Sequence, residues 1–142
     1  RWAAIMFSHG VEKVFYHAGT CDGIDRDSLQ GIFYEYAGTP HRIYAAQAVM
    51  ARLLAPELKP AGRLNLGNGV RAYVFAGGQR ALAVVWTPNG VDATPVRLIN
   101  PKLALLDLMG RPQSEQQFTP SETPIYVLGE GMTAEGLRMG ID

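Results

Sequence analysis

The hydrophobic pattern changes its period partway along the chain. Near the start, Trp2, Ile5, Met6 and His9 recur at helical spacing on one face, and Gly10 stands where a left-handed C-cap belongs. Val11-Glu12-Lys13-Val14-Phe15-Tyr16-His17-Ala18 follows, β-branched and aromatic, and predicts a strand. A helix joined to a strand by one glycine is the tight connection of an alternating α/β fold. Residues 19–28 are too rich in Gly and Asp to continue a regular element and predict a loop. Thr39 followed by Pro40 predicts a helix start, with an N-cap hydroxyl and a proline whose missing N–H is harmless there. That helix runs to about Leu54 with Ile43, Ala46, Met50, Leu53 and Leu54 on one face, and Pro56 stops it.

Beyond residue 56 the apolar runs shorten. They fall at Val70–Ala76, Ala81–Thr87, Val96–Ile99, Leu103–Leu108 and Ile125–Leu128, separated by Gly67-Asn68-Gly69, Gly77-Gly78, Asn89-Gly90, Gly110 and Pro120. Regular strand-and-turn spacing predicts a small antiparallel sandwich or barrel-like sheet. The glycine pairs read as hairpin turns; a phosphate-cradling loop would end in Gly-Lys-Ser/Thr and open a helix. The expected division is therefore an α/β segment over 1–56 and an all-β domain over 57–142, with Pro56-Glu57-Leu58-Lys59-Pro60 as the boundary.

A lone buried strand between two helices lacks partners for its backbone groups unless a larger sheet supplies them. The chain is thus expected to be the C-terminal piece of a larger protein, and, apart from that remainder, to self-associate through its apolar faces.

Charge and composition narrow the function. Thirteen basic and thirteen acidic residues cancel, so no broad positive field draws nucleic acid or anionic lipid. No apolar run approaches the roughly 20 residues of a membrane span. The single cysteine permits no intramolecular disulfide. His9, His17 and His41 lie on different elements at no metal-ligand spacing, and Asp22, Asp25 and Asp27 lack the alternation of a calcium loop, so neither a metal nor a cofactor is expected.

Chemistry, where present, is expected on the loop after the first strand, because strand C-terminal ends carry the sites of parallel α/β folds. His17, Thr20, Cys21 and Asp22 sit there, with Tyr16, Phe33, Tyr34 and Tyr36 as nearby aromatics. They are candidates to bind a sugar, or simply shape the loop and fill the core. Trp86, inside the most apolar run, is expected in the core.

Several runs together resemble a family. Gly38-Thr39-Pro40-His41-Arg42-Ile43-Tyr44-Ala45-Ala46 is similar to the run opening the last barrel helix of many clan A glycoside hydrolases. Ala83-Val84-Val85-Trp86, Leu106-Asp107-Leu108-Met109-Gly110 and Pro124-Ile125-Tyr126-Val127 resemble signatures of the β-sandwich tail of such enzymes.

The resemblance implies that residues 1–56 are the last αβα piece of a TIM barrel and 57–142 an accessory β-sandwich. It implies a retaining glycosidase acting on oligo- or polysaccharide, secreted or periplasmic. Its two carboxylates, about 5–5.5 Å apart, would lie upstream of Arg1. No catalytic residue is then expected in the chain, and Tyr16, His17, Thr20 and Asp22 become substrate-binding candidates. The partners implied are carbohydrate and the upstream barrel. The rival expectation is a non-catalytic carbohydrate-binding or structural β-sandwich module.

Overall fold

The computed structural model describes residues 1–15, 41–54, 56–67 and 69–142. Its main element is a six-stranded antiparallel sheet. The strands are β1 (Lys59–Arg63), β2 (Arg71–Gly77), β3 (Arg80–Trp86), β5 (Leu103–Leu106), β6 (Pro112–Gln113) and β8 (Ile125–Glu130), in the spatial order β1-β2-β3-β8-β5-β6. The short strands β4 (Val96–Arg97) and β7 (Gln117–Phe118) pair with each other as a separate ribbon. Three short helices complete the described structure: α1 (Trp2–Ser8), α2 (Arg42–Leu53) and α3 (Ala134–Met139).

The expected α/β-barrel piece is overturned. Among the described residues helices and strands do not alternate, no closed barrel is present, and every strand pairing is antiparallel. Residues 11–15, read from sequence as the opening of a strand, form none. The error has a physical source: β-branched residues fit a pleated surface well, yet a strand forms only where a neighbouring strand takes its hydrogen bonds. Instead of feeding a parallel strand, α1 packs directly on β1 and β2.

Alternation along the strands sorts the core into two layers. Tyr73, Phe75, Leu82, Val84, Trp86, Leu106 and Tyr126 point to one face and meet Ala3 and Ala4 of α1 and Met50 and Leu53 of α2. Ala72, Val74, Ala83, Val85, Leu105 and Val127 point to the other, where Leu98, Met132 and Leu137 cover them. Both faces of β2 and β3 are therefore buried. This is why their sequences read as unbroken apolar runs rather than alternating ones.

The helix faces also differ from expectation in detail. On α1 the fully buried residues are Ala3 and Ala4, with Phe7 partly buried against the same core, while Trp2 is 53% exposed. On α2, Met50 and Leu53 are buried as expected, but Ile43 is 47% exposed. The helix starts after His41, whose side chain makes no capping hydrogen bond; the predicted N-cap Thr39 lies outside the described residues. At the other end of the chain, Thr133 caps α3 through its hydroxyl, which accepts from the Gly136 N–H at 3.2 Å.

Candidate functional site

The turn between β5 and β6 shows how one carboxylate organises a loop. Asp107 Oδ1 accepts from the backbone N–H groups of Met109 and Arg111, both at 2.9 Å, and Oδ2 accepts from Arg111 Nε at 2.6 Å. The turn closes at Gly110, whose φ of +73° is a left-handed conformation. A Cβ there would also stand 2.9 Å from Val49 Cγ1, so a larger residue would press on the side chains of α2. The run Asp107-Leu108-Met109-Gly110 is thus a structural clasp joining the sheet to a helix.

Partial burial raises the proton affinity of Asp107, but the hydrogen bonds and charge of Arg111 and the Met109 N–H outweigh it and hold the carboxyl below its usual range. Its stabilising contribution is therefore complete above the ordinary aspartate pKa of about 3.9 and is lost as pH falls through the lower folded value. Asp107→Ala is expected to lower stability by about 1–3 kcal/mol at neutral pH. The gap to the parent should narrow in acid, as read by urea denaturation at several pH values. A gap independent of pH would show that the ionised carboxylate contributes nothing.

Beside this clasp a cleft of about 520 Å³ opens between α1, α2 and the sheet. Its floor is apolar, made by Ala3, Ala4, Met50, Val84 and Tyr126. Tyr126 is 2% exposed, and burial pushes its phenol up to about 12, so the ring stays neutral and keeps its proton through the physiological range. Around the rim stand Arg1, Trp2, Arg42, Gln47 and Thr123. Arg1 Nη1 also donates to Asn89 Oδ1 at 3.2 Å, which ties the start of α1 to the turn after β3.

The sequence-predicted candidates Tyr16, His17, Thr20 and Asp22 lie outside the described residues, as do Cys21, Asp25, Asp27, Phe33, Tyr34 and Tyr36. The structure brings together a different set. Residues 1–2, 42–47 and 123–126 are far apart in sequence and share no spacing motif, so only the packing of the helices on the sheet reveals them. Trp86 sits where expected, 3% exposed in the core with its ring stacked on Tyr73.

Among the described residues no three His, Cys, Asp or Glu side chains gather to hold a metal ion. No helix there is long and apolar enough to cross a membrane. Comparison with known proteins finds no matching family model, no matching curated relative and no matching solved structure.

Proposed function

We propose that the chain is a non-catalytic β module of a glycoside hydrolase acting on oligo- or polysaccharide, with the hydrolytic carboxylates upstream of Arg1. One observation supports this reading. The three runs that resemble the tail of such enzymes, Ala83–Trp86, Leu106–Gly110 and Pro124–Val127, come together on or beside the adjacent strands β3, β5 and β8. Each contributes a specific piece of one construction: Trp86 and Tyr126 fill the same core layer, and Asp107 holds the turn in which Gly110 approaches that layer's helix.

Hydrolysis with retention needs two opposed carboxylates, one to protonate the leaving oxygen and one to attack. Among the described residues the cleft rim carries cations and amides but neither Asp nor Glu. Such a rim is suited to hold a chain of sugars, and the described residues there supply no opposed carboxylate pair.

Two measurements test the proposal. The purified chain should turn over no member of a panel of nitrophenyl glycosides, and the coding sequence upstream of Arg1 should supply two carboxylate-bearing segments. Turnover by the purified chain, or an upstream sequence without such a pair, would overturn it.

A further inference from the structure

The cleft beside α2 has a one-sided charge pattern. Two guanidinium groups, Arg1 and Arg42, stand on its rim, and none of its described lining residues is acidic. The ion pairs formed among the described residues employ Arg80, Arg111 and Arg138, so neither rim arginine is neutralised by them. The cleft runs along α2 from Arg42 to Met50 and so includes its N-terminus, which has no acidic residue in the first turn and no side-chain cap. Its macrodipole adds partial positive charge on the same side. An apolar floor of low polarisability focuses these fields into the opening.

We infer that this cleft binds an acidic sugar, one uronate residue of a glycan; the inference rests on the carbohydrate reading above and specifies the ligand class. A guanidinium donates two parallel N–H groups in the spacing of a carboxylate and has no acceptor to offer a hydroxyl proton. A neutral pyranose would leave the positive charge uncompensated. A uronate supplies the matching anion, while its hydroxyls reach Gln47 and Thr123, whose side chains both donate and accept. Trp2 stands on the rim about half exposed, near enough for its emission to sense a bound sugar. The cleft volume of about 520 Å³ falls within the range of small-ligand sites.

The chain holds two tryptophans, one half exposed at the cleft and one buried, so emission at the red edge reports on Trp2. The experiment titrates the protein with methyl glucuronide, methyl glucoside and benzoate, following that emission and confirming affinities by calorimetry. Methyl glucuronide should bind at least about tenfold more tightly than methyl glucoside, the ratio expected for one charge-assisted hydrogen bond. Arg42→Gln should remove that preference and leave the weak binding of the glucoside unchanged. A thermal melt of the variant alongside the parent excludes unfolding as the cause, and Arg42→Lys should retain part of the preference.

Equal binding of both glycosides would overturn the acidic preference while leaving the carbohydrate reading intact. Benzoate binding as well as the glucuronide would show a general carboxylate site and overturn the sugar assignment. Absence of binding by all three overturns the inference, and the upstream carboxylates tested above remain a separate question.

Discussion

Trp86→Ala is expected to lower stability by about 3–5 kcal/mol, the usual cost of emptying a large aromatic site. Trp86 is 3% exposed at the end of β3, in a layer shared by Phe75, Val84 and Tyr126 of the sheet and by Ala3 and Met50 of the two helices. Its ring stacks on Tyr73 with centroids 5.3 Å apart, and the Arg63 guanidinium lies 4.6 Å over the other ring of that pair. Removing the indole breaks this column and leaves a void bounded by rigid strands, which cannot collapse to fill it. Given a stability of about 5–15 kcal/mol for a domain of ordinary size, such a loss approaches unfolding. Urea denaturation followed by far-ultraviolet circular dichroism reads it directly. A midpoint matching the parent would mean that the indole is not in the core, and Trp86→Phe should fall between the two.

Gly77→Ala is expected to be the next most damaging change, for a different reason. Gly77 ends β2, and its φ lies outside the left-handed region, so conformational freedom is not what the position demands. Space is the demand. A Cβ added there would lie 1.9 Å from the Glu57 carbonyl oxygen and 2.7 Å from its carbon, both backbone atoms that cannot rotate away. The segment leading into β1 would have to lift off the sheet, at a cost of about 1–3 kcal/mol or more. Gly78 next door provides the control. Its φ is +57° with nothing within 4 Å of a built Cβ, so Gly78→Ala should cost only about 1–2 kcal/mol of backbone strain. Chemical denaturation of both variants should rank Gly77→Ala as the more damaging. The reverse order would show that residue 57 does not approach the strand as closely as described.

Legibility in the sequence followed the strength of local physics. The runs that became β2, β3, β5 and β8 were rich in Val, Leu and aromatics and bounded by glycine turns, so local preference and final structure agreed. The strand β1 was not legible: Lys59-Pro60-Ala61-Gly62-Arg63 contains poor strand formers and extends only because β2 supplies a partner edge. In the same way α3 was hidden by its brevity and by Gly136 near its start, although Thr133 carried an N-cap signal. The misreading of residues 11–15 ran in the opposite direction, with strong local preference and no partner strand. Burial of both sheet faces was written into the consecutive apolar residues of Ala81–Trp86, but which elements cover them was not, since Ala3 and Ala4 give no hydrophobic peak. The cleft was illegible because its rim is assembled from the start of α1, the opening turns of α2 and a loop near residue 123.

The position of β8 between β3 and β5 has a consequence for how the protein is made. As the chain leaves the ribosome, β1, β2 and β3 emerge in an order that lets them pair as consecutive neighbours. After that the order breaks. Residues 103–106 are synthesised before the strand that must lie between them and β3, so the sheet stays in two pieces until residues 125–130 arrive and pair with both. During that interval the apolar edge of β3 is open to any other nascent chain, the situation in which aggregation competes with folding. Closure is a late, long-range event, which makes folding slow relative to a meander of the same size. A chain cut short ahead of residue 125 therefore yields two half-sheets with nothing to join them.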